Sequence, residues 1–585
     1  MKIIINSLCS LRFRTSVLLT VSVLAILFCY SNMPIVYVGL IEILALVGCI
    51  VFFRKFDVTQ YELFQYKPLW FWRICEWYWA IYLCFIPLLN MVQSQNDKLC
   101  LFVYLFPYKY CLSLKTYITL ITHSFNLNIL LFTAVLLTLP IWHIVTKILF
   151  YNIILFFQKI SHFEVLFLFS AITVLLSVLF LLSSKTSFFV YPVDNETFLS
   201  EEDNIIHYKY RVNMDHFLDS DTGGLLEMPY YTIGDHSRHP YFARVMTLFF
   251  PLLLLLGSLF NVFFNSYAYS FAIGISVIQV FLYVLTGLLL LRIYSSITTG
   301  SFAGCLGIIY ICSFPVVFVL CPERLIFSSF FLVLSIYLII VNSKDIYILF
   351  VTFLAIGTTS LSLIPIFIAY YLQRKKFNII LAVIPLCLLT LHNGLEWWLK
   401  DNNIHLQSAN SSIYQKFSSY NQLIESCFLV PEWNAVDVKK HEISNSDGEK
   451  ITISPKCIIQ TTIKRSLLKT NIISCICIIL SCISMYLYKK ELIIKISFLW
   501  LFISIILVGI MGFGNSQCVL YCSYFSWAII PLALLPFYWL WQKFPRLPIP
   551  QALYLFAAYL AISNLYFIYQ VVQIVSERYI VPPGM

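Results

Sequence analysis

The sequence predicts an all-α polytopic membrane protein with about 13–15 transmembrane helices and two large extracytoplasmic loops. Two observations indicate this class. Hydrophobic residues make up 60% of the 585 residues and charged residues only 11%, whereas a soluble domain has about half and about a quarter. The apolar residues also occur in runs of about 20, the length that crosses a bilayer as a helix.

Each apolar run defines one predicted span. The lower count of about 13 allows for two runs that are re-entrant or merged. The first run follows a basic N-terminus like that of a signal peptide, but further runs come at once, so we interpret it as an uncleaved span. The runs lie near residues 15–31, 35–53, 74–92, 126–148, 163–183, 244–265, 268–291, 301–320, 325–342, 346–371, 377–392, 469–488, 491–511, 523–541 and 551–573.

The basic residues of the short loops predict the orientation, because cytoplasmic loops carry an excess of Lys and Arg. With the N-terminus in the cytoplasm, most basic turns fall on that side. Arg292 and Lys344 are exceptions, since the span count places them outside. The turns assigned to the cytoplasm contain Lys2, Arg12, Arg14, Arg54, Lys55, Lys67, Arg73, Lys147, Lys159, Arg374, Lys375, Lys376, Lys489, Lys490, Lys543 and Arg546.

This topology divides the chain into four parts. Residues 1–160 form an N-terminal four-helix extension. Residues 161–392 form a core with a long first external loop at 184–243, residues 393–468 form a second extracytoplasmic loop, and residues 469–585 form the C-terminal transmembrane helices. The net charge of +10 comes from basic residues scattered between apolar runs, so no nucleic acid partner is predicted.

The first external loop contains a polar cluster, "DSDTGGLLEMPYYTIGDHSRHPYF" at 219–242, just before a span. Asp219, Asp221 and Glu227 supply carboxylates, and a carboxylate at the membrane surface can serve as a general base. Arg238 is suited to forked contact with phosphate oxygens, and His239 follows it. Acid, Arg and His beside a membrane indicate a lipid substrate that carries phosphate. The alternative is a solvated loop with no further role.

Two motifs resemble the GT-C class of membrane glycosyltransferases, the branch related to the family 39 mannosyltransferases and the aminoarabinose transferases. Asp221–Thr222 is similar to an Asp followed by a small polar residue in the first loop of a bacterial subgroup. "DHSRHPYF" is similar to its later "RxxxHPL". Gly223 and Gly224 stand where the subgroup has Arg. The resemblance covers about 164–540.

The second motif lies far downstream, in "GNSQCVLYCSYFSWAIIPLALL" at 514–535, and resembles the subgroup's "ExFLYSxH". Leu520, Tyr521 and Ser523 match in kind. Gln517 stands in the place of the acid, and Tyr524 comes where His is found. By the predicted topology this segment also opens to the outside.

The resemblance implies an inverting glycosyltransferase with a GT-C-like fold. Such enzymes transfer a sugar from a polyprenyl-phosphate-linked donor to a lipid or cell-envelope glycan acceptor on the extracytoplasmic face, here of a bacterial inner (plasma) membrane. Asp221 is the expected catalytic base, with Asp219 as its rival. The expected substrate-binding residues are Glu227, Arg238, His239, Gln517, Tyr521 and Ser523.

The implied partners are the donor, the acceptor and membrane lipids. No cofactor and no metal site is expected, although the carboxylates leave room for a divalent cation. One alternative is an O-antigen-type glycan polymerase or ligase, which relies on Arg and His in late external loops. Another is a non-enzymatic flippase or transporter of lipid-linked sugar, which would have charged residues within spans and broken helices.

A further polar stretch, "CPERLIF" at 321–327, places Glu323 and Arg324 between two spans. The span count puts this turn on the cytoplasmic side, at the membrane edge, where an ion pair within the loop is expected. An acid inside the membrane would instead indicate function.

Overall fold

The computed structural model describes part of the chain. The described residues are 70, 72–81, 160–185, 267–321, 323–376, 412–431, 433–435, 441–444, 450–453, 459–461, 467–512 and 518–578, with isolated positions at 139–151 and 249–260. The chain forms two compact units, the first made of Met1–His162 with Thr247–Pro251 and the second of Phe163–Met246 with Leu252–Met585.

In the first unit, residues 72–81 are helical and contact His143 and Phe150. The Trp77 ring stacks on the His143 ring with centroids 4.1 Å apart, and Trp72 packs against Phe150 at 5.6 Å. The Trp77–His143 contact joins the predicted spans at 74–92 and 126–148, and the Trp72–Phe150 contact lies just outside them.

The second unit is a bundle of apolar helices. Its helices are α1 (His162–Lys185), α2 (Tyr267–Ser295), α3 (Gly300–Cys312), α4 (Val316–Val319), α5 (Arg324–Ile340), α6 (Asp345–Thr358), α7 (Leu363–Arg374), α8 (Ile413–Ser426), α9 (Leu467–Leu487), α10 (Leu492–Ser504, continued by a π-helical turn Ile505–Ile510), α11 (Cys522–Lys543) and α12 (Ile549–Arg578). Short 3₁₀ turns precede α7 (Ser360–Ser362) and α11 (Cys518–Tyr521).

Within the described residues, five helical segments are long and apolar enough to cross a membrane: His162–Ser183, Ile273–Ser295, Leu492–Ile510, Cys518–Lys543 and Ile549–Gln573. The segments of α2 and α11 are almost wholly buried inside the protein, while those of α1 and α12 are mostly exposed. Exposed apolar faces on outer helices are expected where lipid is the solvent. A helical membrane protein is therefore confirmed, whereas the count of 13–15 spans and the GT-C arrangement stay predictions.

The second loop contains both a helix and four short strands. The strands are β1 (Trp433–Ala435), β2 (His441–Ser444), β3 (Lys450–Ile453) and β4 (Ile459–Thr461). β1 pairs with β4 and β2 with β3, both antiparallel. The register that pairs Trp433 with Thr461 also pairs His441 with Ile453 when it is continued toward the turn. The two pairings therefore belong to one hairpin register.

One end of the bundle carries most of the basic residues of the short connections that the structure describes. Arg292, at the end of α2, contacts Glu164, at the start of α1, with Nε 2.6 Å from Oε1. Arg374, at the end of α7, donates to the backbone oxygen of Ser343 at 2.5 Å. Lys489, Lys490 and Lys543 lie at ends of α9, α10 and α11. By the positive-inside rule this is the cytoplasmic end, which we call the inner end.

This arrangement corrects the predicted topology at two places. Three crossings are predicted between residues 163 and 291, and an odd number would put Glu164 and Arg292 at opposite ends of the bundle. Their contact instead puts the start of α1 and the end of α2 at the same end. The predicted span 346–371 is also wrong as one crossing, because Arg374 returns to Ser343 and lies 3.9 Å from Asp345. Arg292 and Lys344 therefore lie at the inner end and are no longer exceptions.

The segment 346–371 forms a re-entrant hairpin instead. The helices α6 and α7 have 14 and 12 residues, so they are about 21 and 18 Å long at 1.5 Å per residue. Neither length crosses a hydrocarbon core of about 30 Å. The hairpin enters from the inner end, and three residues of its polar tip, Thr358, Thr359 and Ser362, are buried in the bundle.

The predicted span 301–320 is broken between α3 and α4 at Ser313–Pro315, because Pro315 has no amide hydrogen to continue the helix. Side chains from other helices bond the freed carbonyls. The Tyr283 hydroxyl donates to Tyr310 O at 2.6 Å, and Asn564 Nδ2 donates to Cys312 O at 2.7 Å. Irregular backbone is tolerated at membrane depth only when it is satisfied inside the protein in this way.

Candidate functional site

Most residues predicted to form the site lie outside the described residues. These are Asp219, Asp221, Glu227, Arg238 and His239 of the first loop and Gln517 of the downstream motif. Their roles stay predictions.

Tyr521 and Ser523 are described, at the start of α11. Tyr521 ends the 3₁₀ turn that leads into the helix and is partly exposed. Ser523 is fully buried, and its hydroxyl donates to Leu520 O at 2.8 Å. Of these two described residues, Tyr521 is the one that solvent reaches, while the Ser523 hydroxyl bonds within its own turn.

The Glu323–Arg324 turn is not a cytoplasmic loop, which corrects the sequence-based assignment. It opens α5 at the end opposite to Lys344 and Arg374, the outer end. Both side chains are buried, Glu323 with 1% and Arg324 with 5% of its surface exposed. Glu323 is the N-cap of α5, and its Oε1 accepts from the Leu325 amide at 3.2 Å. A carboxylate there is favoured by the helix dipole.

The turn also lies below the outer limit of the apolar span of α2. Gln279 Nε2 donates to Glu323 O at 2.8 Å, and the Ser276 hydroxyl donates to Leu320 O at 3.1 Å. The apolar span of α2 begins at Ile273, so Gln279 is six residues further along, about 9 Å deeper. Ionisable residues at such depth are costly and usually mark a functional site.

The tip of the α6–α7 hairpin meets the same region. The Thr359 hydroxyl donates to the Ser328 hydroxyl, one turn into α5, at 2.7 Å. The Ser362 and Tyr524 hydroxyls lie 2.7 Å apart. The hairpin tip therefore bonds both to the helix that follows the Glu323 turn and to the start of α11.

The start of α11 lies beside Glu323. The Cys522 thiol is within electrostatic range of the Glu323 carboxylate, and α5 packs against α11. Three polar helix openings thus converge: the Glu323–Arg324 turn, the Thr359–Ser362 hairpin tip and the Tyr521–Tyr524 opening of α11. We call this set the outer cluster.

Helix α8, from the second loop, packs over the outer cluster. Cys518, just before α11, lies with its sulfur 3.4 Å from Gln422 Oε1 of α8, and the Phe314 amide donates to Phe428 O just after α8 at 3.2 Å. Burial raises the pKa of the Cys427 thiol and of the Tyr420 hydroxyl. Both groups are therefore neutral at physiological pH, and the same helix also carries a buried carboxyl group, Glu425.

The outer cluster contains hydroxyls, the Cys522 thiol and one buried carboxylate beside a guanidinium, and Gln279 of α2 and Gln422 of α8 bring carboxamides next to it. Such groups bind hydroxyl groups and charged headgroups of a polar ligand. Among the described residues, no three His, Cys, Asp or Glu side chains come together as a metal site. Glu323 is the residue that sequence reasoning undervalued. The signal for it was an acid at an N-cap directly after a Pro.

No family model matches the chain, and neither a curated protein nor a solved structure matches it either.

Proposed function

We propose that this protein is an inverting, GT-C-type membrane glycosyltransferase. It transfers a sugar from a polyprenyl-phosphate-linked donor to a lipid or cell-envelope glycan acceptor on the extracytoplasmic face of a bacterial inner membrane. Asp221 of the first loop, with Asp219 as its rival, takes the proton of the acceptor hydroxyl. Arg238 and His239 bind the leaving phosphate, and Glu227, Gln517, Tyr521 and Ser523 complete the substrate contacts.

One observation carries the proposal. The downstream segment that resembles a GT-C motif, around Tyr521, lies at the outer end of the bundle and leads into a helix that packs against α5, which begins beside the buried acid Glu323. The glycan donor of such an enzyme presents its sugar and phosphate at that face. An opening lined by hydroxyls and a carboxylate suits sugar hydroxyls, and the apolar helices around it suit the polyprenyl chain.

The test is sugar transfer by the reconstituted protein with a radiolabelled polyprenyl-phosphate sugar and a membrane extract as acceptor. Asp221→Asn or Asp219→Asn is expected to lower the rate by at least about a hundredfold with donor binding kept, since a general base contributes that much or more. Asp345→Asn, at the inner end, is the matched control and should transfer at the wild-type rate. Transfer that survives both substitutions in the first loop refutes the mechanism.

A second candidate is a flippase or transporter of lipid-linked sugar, and a specific observation favours it. The break between α3 and α4, the re-entrant α6–α7 hairpin and the buried Glu323–Arg324 turn are features that carriers use at their substrate sites. In proteoliposomes with a fluorescent polyprenyl-phosphate sugar, a carrier moves the headgroup across the bilayer without acceptor. Movement without transfer supports the carrier, and transfer without movement supports the enzyme.

A further inference from the structure

Two turns at the inner end of the bundle hold exposed basic side chains. The first follows α9 and carries Lys489 and Lys490, and the second, at the end of α11, carries Lys543 and Arg546. All four residues are exposed. The acid in the sequence of these turns is Glu491, so four positive charges and one negative charge give the two turns together a net charge of +3.

The packing of the helices brings these two turns to neighbouring positions. The helices α9, α10 and α11 pack against one another, and the Ser484 hydroxyl of α9 donates to Leu532 O of α11 at 2.5 Å. Both α9 and α11 run towards the inner end. Ser484 is three residues from the end of α9 and Leu532 is eleven residues from the end of α11, so α11 continues eight residues, about 12 Å, further. Lys543 therefore projects beyond the first turn at the same end of the protein.

Exposed aromatic rings lie beside the lysines of both turns. The Lys543 Nζ lies 5.1 Å from the centroid of the Trp539 ring and 5.7 Å from that of the Phe544 ring. The two rings are 39% and 49% exposed. The Lys489 Nζ lies 5.9 Å from the centroid of the Tyr486 ring, which is 75% exposed. Exposed aromatic rings next to lysine are typical of the depth at which hydrocarbon meets lipid headgroups, so this surface contacts headgroups.

Orientation in the membrane does not require such clustering. The positive-inside rule needs basic residues at the cytoplasmic end, and the exposed Lys344, Lys375 and Lys376 already supply them there. Four basic residues on two adjoining turns create a local positive field instead. At physiological ionic strength such a field extends about 8 Å from each charge. A lipid with a net negative headgroup is attracted by every basic side chain within that range, whereas a zwitterionic lipid has no net charge for them to attract.

We propose that these turns bind the headgroup of an anionic phospholipid in the inner leaflet. The basic side chains contact the phosphate, and the aromatic rings pack against the lipid at the level of its ester groups. The site is independent of sugar transfer, so it holds whether or not the proposed function is correct. We call the residues that form it the inner patch: Lys489, Lys490, Trp539, Lys543, Phe544 and Arg546.

The test is equilibrium binding of fluorescent phosphatidylglycerol and fluorescent phosphatidylcholine to the full-length protein in uncharged detergent micelles. The wild type is expected to bind phosphatidylglycerol at least about tenfold more tightly, with the preference falling as salt is added. Each basic residue near an anionic headgroup contributes about fivefold at low salt. A variant that replaces all four basic residues of the inner patch should therefore bind phosphatidylglycerol at least about tenfold more weakly, and phosphatidylcholine as before. This variant combines Lys489→Gln, Lys490→Gln, Lys543→Gln and Arg546→Gln.

Two further variants separate the inner patch from net charge and from fold. The matched control removes four positive charges elsewhere and should bind like the wild type; it combines Lys344→Gln, Lys375→Gln, Lys376→Gln and Lys416→Gln. The conservative variant keeps the charge of the patch and should also keep wild-type affinity; it combines Lys489→Arg, Lys490→Arg and Lys543→Arg.

Four results would overturn the proposal. Equal affinity of the wild type for the two lipids would show that the turns do not select charge. Equal weakening in the matched control would show that net charge acts and the patch does not. Loss of affinity in the conservative variant would show that positive charge is not what holds the lipid. Displacement of the lipid by inorganic phosphate at constant ionic strength would show that the patch binds a free anion.

Discussion

The ion pair between Glu164 and Arg292 joins the start of α1 to the end of α2, and its strength can be worked out from its geometry. Arg292 Nε lies 2.6 Å from Oε1, and a second guanidinium nitrogen lies 3.2 Å from Oε2. The two side chains are only 8% and 13% exposed. Removing one partner of such a pair leaves a poorly solvated charge, so Glu164→Gln or Arg292→Gln should each lower the free energy of unfolding by about 3 kcal/mol.

The double variant distinguishes this reasoning from general damage. With both charges gone no ion is left unpaired, so the double variant should lose about 3–4 kcal/mol rather than 6, a coupling of about 2–3 kcal/mol. The pair of Arg374 and Asp345 is the control in the same chain. Its atoms are 3.9 Å apart and its side chains are 28% and 33% exposed, so its coupling should stay below about 1 kcal/mol.

The assay is unfolding in mixed micelles with rising SDS, followed by tryptophan fluorescence, for each single variant and both doubles. If the coupling free energy of Glu164 and Arg292 equals that of Arg374 and Asp345, the Glu164–Arg292 pair is solvated. Additive losses would show that the two residues do not meet, and the assignment of α1 and α2 to a common end would then fail with them.

Three further predictions concern topology and packing. Green fluorescent protein fused after Ser343 should fluoresce, and alkaline phosphatase fused at the same position should be inactive, because this turn lies at the inner end. An active phosphatase fusion would support the sequence-based topology instead. Gly307→Val should lower the free energy of unfolding by about 2 kcal/mol, measured by the same SDS titration, because a Cβ there meets Gly287 O at 3.3 Å; an unchanged midpoint would mean that α2 and α3 are further apart. Ser412→Ala removes a capping box whose side chain accepts from the Gln415 amide, so hydrogen exchange in α8 should speed up by the equivalent of about 1 kcal/mol; unchanged exchange would mean that the cap is not formed.

The hydropathy of the sequence was sufficient to predict the long helices. The apolar runs at 163–183, 268–291 and 551–573 match α1, α2 and α12 to within a few residues. These predictions succeed because a helix that crosses lipid must satisfy its own backbone and must be apolar over about 20 residues. Both conditions are local, so a window along the sequence detects them.

Hydropathy failed where a helix reverses inside the bundle. The run 346–371 is long enough to span, and its interior Thr359–Ser362 is too short to lower the average of a long window. The physical signal was the charge pattern, since Lys344 and Arg374 on opposite sides violated the positive-inside rule. If that violation is taken as evidence for an even number of crossings between Lys344 and Arg374, the sequence predicts the hairpin.

Helix α8 was missed for a different reason. It lies in a segment treated as a loop because of its polarity, yet Ser412 followed three residues later by Gln415 is a capping box that precedes an amphipathic stretch. The capping signal is local and readable. That α8 packs against α9 and the start of α11 is a tertiary fact, and no pattern within the segment specifies it.

Stability alone does not account for Glu323 and Arg324. An uncharged Ser or Asn at the N-cap would satisfy the Leu325 amide as well as Glu323 does. An apolar residue in place of Arg324 would avoid the cost of removing a guanidinium from water, and buried ion pairs are often no more stable than apolar replacements. The turn nevertheless holds both residues below the outer limit of the α2 span, beside Cys522 and held by Gln279. Because uncharged residues would stabilise the fold at least as well, we infer that the function of the site requires Glu323 and Arg324. Glu323→Ser, which keeps the cap and removes the charge, should therefore impair function more than stability.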